Sequence, residues 1–383
     1  MPLHFTEDEL ADRRRRACDA MAARGLDGLL LFRQESLYYL TGFDTFGYVY
    51  FQCLYLGADG AMTLLTRAPD LRQARFTSVI DDVRVWVDEA GATPEDALTA
   101  ILRERGAGGS RLGVEWHAYG LTAQLGFRLA AALDGVCGLD DASDLVSRLR
   151  LVKSAAELAY VRRAAALADA AYDEAVRLAA PGAYEGDILA AMHGAVFRGG
   201  GGDPANETII GSGPGALMCR YFTGRRHLAA DDQLTLEFAG VYRHYHACLM
   251  RTIRIGEPPL RQRAMHAAAL NALAAAKAAL GPERPIGAVF DAHAAVLDGA
   301  GFAPHRLNAC GYSLGATYAP NWMDWPMLFH GNPVMAAPGM VFFIHIIVFD
   351  SDAGLAMTTG QTVEVTDDGC TPLTNAPLEL VVK

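Results

Sequence analysis

The sequence predicts two successive domains: an α/β domain over residues 1–150, and a second domain over 151–383 built from long helices and separate runs of strands. Three observations carry this. The chain has 383 residues, enough for two domains of ordinary size. In its first part short apolar strands alternate with helical stretches, the pattern of a mostly parallel sheet with both faces covered. Near Arg148–Ser154 the texture changes, and Ser154-Ala155-Ala156-Glu157 reads as a capping box that launches a long helix.

Taken in order, Glu7 to Arg24 is an amphipathic helix, and Leu29 to Phe32 is an apolar run behind Gly25 and Gly28, as in a buried strand. Val49–Leu56 and Ala61–Thr66 flank the turn GADG and predict a hairpin. A helix over Asp70–Thr77, a strand over Val83–Val87 and a helix over Thr93–Arg105 follow, the last opened by Pro94 at its first turn. A strand over Leu112–Trp116 and a helix near Leu121–Leu133 complete the domain. Beyond the boundary, the capped helix runs to about Leu178, where Pro181 and Gly182 break it, and Tyr184–Phe197 is a second helix. The glycine run at 199–202 lacks the lysine and helix start of a phosphate-binding loop. Two Ala-rich helices, Arg261–Leu280 and Ile286 to about Asp298, and a strand-rich stretch Met340–Val365 close the chain. Strand–helix pairs thus appear twice, as an internal duplication would produce.

Bulk properties exclude several classes. A net charge of −11 argues against a nucleic-acid partner. The start, MPLHFTEDEL, has no apolar core behind a basic region, so no signal peptide is expected, and no apolar run approaches the ~18 residues of a membrane span. Seven scattered cysteines do not form a disulfide framework and fit a reducing, cytoplasmic setting.

The stretch Asp231–Arg254 holds most of the reactive groups. It reads as a hairpin: Leu234–Ala239, a turn at Gly240, then Tyr245–Ile255. Side chains alternate along a strand, so His244, His246 and Cys248 share one face with Met250 and Thr252, and Glu237 joins them if its strand presents it the same way. Each residue has a structural and a functional reading. Glu237 is either an ion-pair partner of Arg251 or Arg220, or a dry carboxyl of raised pKa suited to acid–base work. His246 and His244 are either satisfied core histidines or catalytic ones, with His246 favoured by its closeness to Cys248. Cys248 and Cys310 are buried apolar residues, an activated nucleophile, or soft metal ligands. Arg220 is a surface ion-pair residue or a bidentate clamp for a substrate carboxylate. The aromatic loop with Tyr312, Tyr318, Trp322 and Trp325 reads as a pocket wall or a dimer contact.

Several motifs in series resemble one family. RLRLVKSAAELAYVRRAA at 148–165, SLYYLTGFDTFGY at 36–48, GSGPGALMCRY at 211–221, the hairpin, CGYSLG at 310–315 and the closing VFFIHIIVF…TVEVTDDGC block are similar, in order, to the pita-bread superfamily of aminopeptidase P, prolidase and creatinase. The resemblance implies an α+β pita-bread domain over 151–383 behind a creatinase-like N-terminal domain, and a homodimer in which Phe46, Tyr48 and Tyr50 of the small domain reach a pocket, their own or the neighbour's. The metallopeptidases of this family hold two metal ions with carboxylates and a histidine. By resemblance those positions fall here on Glu237, Cys248, Cys310, His345 and near Gly360, and an assisting histidine falls on Arg220. Two ions ~3.5–4 Å apart need hard anionic oxygens, and one carboxylate remains, so no cofactor is expected. The alternative is one zinc or other divalent ion on Glu237, Cys248, Cys310 and His345.

GYSLG…YAPNW most resembles the ectoine-hydrolase and creatinase branch. The implied function is metal-independent hydrolysis of a non-peptide C–N bond in a small carboxylate-bearing amidine or guanidino acid. Glu237 and His246 would move the proton, Arg220 would hold the carboxylate, and Tyr312 or His345 would stabilise developing charge. His244, Cys310, Tyr312, Trp322 and Tyr48 would line the substrate. The alternatives are a lyase or biosynthetic enzyme using Cys248, an Xaa-Pro peptidase, and a binding module without catalysis.

Overall fold

The computed structural model describes residues 3–220 and 225–383. The chain divides into two compact units, Met1–Arg150 and Leu151–Lys383. Tyr221, the last residue of the motif at 211–221, lies outside the described residues.

The first unit contains α1 (Glu7–Ala23), β1 (Gly28–Leu31), α2 (Gln34–Thr41), β2 (Cys53–Gly57), β3 (Met62–Arg67), α3 (Leu71–Thr77), β4 (Val83–Trp86), α4 (Pro94–Glu104), β5 (Arg111–Val114), α5 (Ala123–Leu133), β6 (Gly138–Asp141) and α6 (Leu145–Leu151). The strands form one sheet in the order β4-β3-β2-β1-β5-β6. β1–β5, β5–β6 and β3–β4 are parallel; β1–β2 and the hairpin β2–β3 are antiparallel. All four residues of β1 are buried, as its unbroken apolar run requires. Separate apolar clusters on Leu29 and Leu31, and on Leu30 and Val114, show that both faces of the sheet are covered. Val49 belongs to a 3₁₀ turn, Gly47–Val49, so β2 begins later than its apolar run.

The second unit contains α7 (Ala155–Leu178), α8 (Glu185–Arg198), β7 (Ile209–Ser212), β8 (Asp232–Tyr242), β9 (Tyr245–Ile255), α9 (Leu260–Ala279), α10 (Gly287–Gly299), β10 (Ala309–Ser313), β11 (Asp324–Phe329), β12 (Val341–Asp350), β13 (Leu355–Thr366), β14 (Gly369–Pro372) and β15 (Val381–Val382). Ser154 and Glu157 close a reciprocal capping box at the start of α7. The main sheet runs β11-β10-β12-β13-β9-β8-β7, with β14 on β13 and β15 on β9. It is antiparallel apart from the β15–β9 pair. Two halves meet where β13 pairs with β9, each a helix pair packed on its own strands. Leu234, Leu236, Phe238 and Leu249 pack with α7 and α8; Phe342, Ile344, Met357 and Val363 pack with α9 and α10. Alternation then puts Glu237, Cys248, Met250, His345, Gly360 and Thr362 on the opposite, helix-free face.

The turn of the central hairpin differs from the sequence expectation. β8 continues through Gly240 to Tyr242, and the chain reverses at Arg243 and His244, with φ of 50° and 66°. That is a two-residue turn of the primed type that fits strand twist. Gly240 marks a close approach instead: a Cβ there would lie 2.0 Å from the Ala164 carbonyl of α7.

Candidate active site

Glu237 is the centre of the helix-free face. Register pairs it with Met250, and Ala239 with Cys248, so the two site residues stand one pleat apart on the same side. Glu237 is 7% exposed. Burial raises its carboxyl to about 7, although a hydrogen bond from Tyr312 and the charge of Arg220 both pull it down. The Tyr312 hydroxyl donates to Glu237 Oε1 at 3.1 Å, and Trp322 Nε1–H donates to the Tyr312 oxygen at 2.8 Å. Burial and the adjoining Glu237 charge hold the Tyr312 phenol well above its ordinary value, so it stays protonated.

His345 stands beside this pair. Its ring lies 5.6 Å from Tyr312 and 5.4 Å from Phe343, and its buried Nδ1 has no hydrogen-bond partner among the described residues. Burial, with the charge of His293, lowers it to about 4, so it is a neutral imidazole. Gly360 faces it across the β12–β13 pair.

His246 takes a different role from the one expected. Its Nε2 accepts the Ala205 N–H at 2.9 Å, so the proton sits on Nδ1, 2.8 Å from the His244 carbonyl and 3.1 Å from Thr317 Oγ1. Burial lowers its pKa to about 3. Both ring nitrogens are occupied by structure, and His246 is a pin between the hairpin, the Ala205 segment and the loop after β10. His244, in the turn, stacks on Tyr318 at 4.2 Å between ring centroids.

The two cysteines are both buried. Cys248 is fully buried, and burial followed by the Glu237 charge pushes its thiol well above the ordinary value. A thiol held protonated is a poor nucleophile. Its backbone is fixed by Thr362, whose hydroxyl accepts from the Cys248 N–H at 2.8 Å and donates to its carbonyl at 2.9 Å. Cys310 packs in the apolar layer with Leu328, Phe342 and Ile344, on the side of α9 and α10. Register shifts next to it in the β10–β11 pair, and Gly311 has a φ of 150°.

Those placements answer the metal question in terms of donors. Of the positions that the family resemblance points to, Glu237 and His345 offer one oxygen donor and one imidazole, Cys248 offers a thiol, Cys310 packs in the apolar layer with Phe342 and Ile344, and Gly360 has no side chain. Among the described residues no three His, Cys, Asp or Glu side chains come together as metal ligands. The residues present do not fit a dinuclear centre or the single site on Glu237, Cys248, Cys310 and His345.

Arg220 is exposed, yet its charge reaches Glu237. Trp322 is buried at 2% exposure and wedged by its backbone as well as its ring: its N–H donates to Asn206 Oδ1 at 3.1 Å. Tyr48 belongs to the 3₁₀ turn of the first unit and is buried; Phe46 and Tyr50 on either side of that turn are exposed. The sequence reading missed Ala205, Asn206 and Thr317, whose contributions are backbone or short polar contacts with no motif to mark them. It also missed Cys219, half-buried and close enough to Glu237 for the carboxylate to raise its thiol further after burial.

The family model for metallopeptidase family M24 matches residues 159–367, and that for the creatinase/prolidase N-terminal domain matches residues 13–152. Ectoine hydrolase of Halomonas elongata is 28% identical over 400 residues, covering 100% of this chain and 99% of its own. A probable dipeptidase PepE of Mycobacterium bovis is 29% identical, covering 99% and 98%. Dipeptidase PepE of Mycobacterium ulcerans, a solved structure, superposes at a TM-score of 0.86 with 28% identity over 99% of each chain. Prolidase of Thermococcus sibiricus shares the fold at a TM-score of 0.87 and 20% identity, over 99% of this chain and 100% of its own. The chain belongs to metallopeptidase family M24, with a creatinase-type α/β domain ahead of its pita-bread domain.

Proposed function

We propose that this M24 hydrolase opens a non-peptide C–N bond in a small zwitterion, a cyclic amidine or guanidino group carrying a carboxylate, without a metal ion. The observation that carries the reading is Glu237: a single buried carboxyl near neutral pKa, hydrogen-bonded to a phenol and bordered by aromatic rings. Such a setting suits a planar cation, which pairs with the carboxylate and lies against aromatic faces. Arg220 at the exposed side supplies the opposite charge for the substrate carboxylate.

In this reading Glu237 takes a proton from water as the water attacks the amidine carbon, then returns it to the leaving nitrogen. Its pKa near 7 makes both transfers feasible at neutral pH. Tyr312 donates its one hydrogen bond to Glu237, which leaves the neutral His345, whose Nδ1 has no partner among the described residues, to bond the attacking oxygen. His246 drops out of the proton path. The similarity to ectoine hydrolase over full length favours this substrate class. The molecule is taken as a homodimer, which sedimentation tests.

A second reading, dipeptide hydrolysis, is favoured by the comparable similarity to PepE. A substrate panel separates the two. Product formation by NMR from ectoine-like amidines or creatine-like guanidino acids supports the first. Release of the N-terminal residue from Xaa-Pro dipeptides, dependent on manganese, with the amidines untouched, establishes the second.

A further inference from the structure

We propose that Trp322 is a positioning residue for the reaction: its indole N–H fixes the direction of the Tyr312–Glu237 hydrogen bond and holds the carboxyl in its working state. The inference rests on Glu237 being the acid–base group.

The argument is one of donors and acceptors. A phenol has one proton and can both donate and accept, so a Tyr–Glu pair alone can exist in more than one orientation. An indole N–H only donates. With Trp322 Nε1 2.8 Å from the Tyr312 oxygen, that oxygen accepts there, and its own proton is left for Glu237 Oε1 at 3.1 Å. All three side chains are buried, so water does not compete for these bonds. A bond that polarises the phenol also strengthens the bond the phenol donates, which favours the ionised carboxylate.

The loop segment that carries the indole is held by contacts with other parts of the chain. The Trp322 backbone N–H donates to Asn206 Oδ1 at 3.1 Å, and its carbonyl accepts from Thr317 Oγ1 at 3.5 Å. Thr317 also reaches His246 Nδ1, and His246 Nε2 accepts from Ala205, the residue before Asn206. The structural pin on the hairpin and the indole on the loop are therefore one hydrogen-bonded assembly, aimed at Tyr312.

The test is the Trp322→Phe variant, which keeps an aromatic ring and removes the donor. Its acid limb in the pH profile of kcat/KM should move up by ~0.1–0.3 pH unit, because the lost bond strengthened the Tyr312–Glu237 bond by about 10–30%. kcat should fall more than KM changes. Tyr312→Phe should shift the limb in the same direction, and the double variant no further than Tyr312→Phe alone. An unmoved limb, or shifts that add, overturns the proposal. A second measurement needs neither substrate nor variant folding. In the wild-type enzyme the Trp322 indole ¹⁵N–H resonance should titrate with the same midpoint as the Glu237 side-chain ¹³C signal. A flat indole resonance through the carboxyl titration also overturns it. Matching midpoints in an enzyme that leaves every amidine intact would uphold the relay while sinking the proposed substrate class.

Discussion

Glu237→Gln tests the site through stability as well as activity. Burial holds the folded-state carboxyl at about 7, against an ordinary value of 4.5. The folded protein therefore binds more protons than the unfolded chain between these values, and stability falls as pH rises through that window. Above pH 7 the full cost of a buried carboxylate is present, an upper figure of ~3 kcal/mol from the gap between the two values. Glutamine keeps the shape and an oxygen that accepts the Tyr312 bond, but never ionises. The variant should match the wild type near pH 4.5, gain on it through pH 7, and exceed it by ~1–3 kcal/mol at pH 8. It should also lose turnover by at least ~100-fold, as loss of a general acid–base does. Urea unfolding at five or six pH values, followed by fluorescence, measures the first effect directly. A difference that is flat with pH, or a variant less stable at pH 8, would show that Glu237 is not a dry carboxyl poised near neutrality.

Three further outcomes follow from the same geometry. Cys248→Ala should retain most of its turnover, and mass analysis of the wild type during catalysis should find no adduct on Cys248; a trapped adduct there would restore the nucleophile reading. Arg220→Ala should raise KM for the carboxylate-bearing substrate and move the acid limb of the pH profile upward, since the lost positive charge was lowering the Glu237 pKa. Gly240→Ala should cost ~3 kcal/mol or more in denaturant unfolding, because its methyl group would collide with the Ala164 carbonyl of α7.

Much of the scaffold was legible because it depends on short-range chemistry. Ser154 and Glu157 sit at the spacing of a reciprocal cap, and they form one. The apolar run at Leu29–Phe32 had to be covered on both sides, and β1 is. Glu237 stood out as a lone acid within an apolar strand, and alternation alone put Cys248 and Met250 on its face. What escaped the sequence depends on partners distant in the chain. Gly240 resembles a turn residue, but its meaning is set by Ala164 of α7, 76 residues earlier. His246 looked free to act because Ala205 and Thr317, which occupy its nitrogens, carry no signature. Cys310 was placed in the site by the family resemblance, yet it packs in the apolar layer with Leu328, Phe342 and Ile344. Trp322 read as a wall; only the 2.8 Å contact with Tyr312 gives its indole N–H a task.

The central claim is that Glu237 and its phenol do the chemistry that a pair of metal ions does in the metallopeptidases this chain resembles. The most direct measurement is turnover of a cyclic amidine or guanidino acid by enzyme stripped with chelator, with metal content followed by elemental analysis. Full activity with less than about one-tenth of an ion per chain is the predicted result. Activity that vanishes on stripping and returns in proportion to added divalent ion would contradict it.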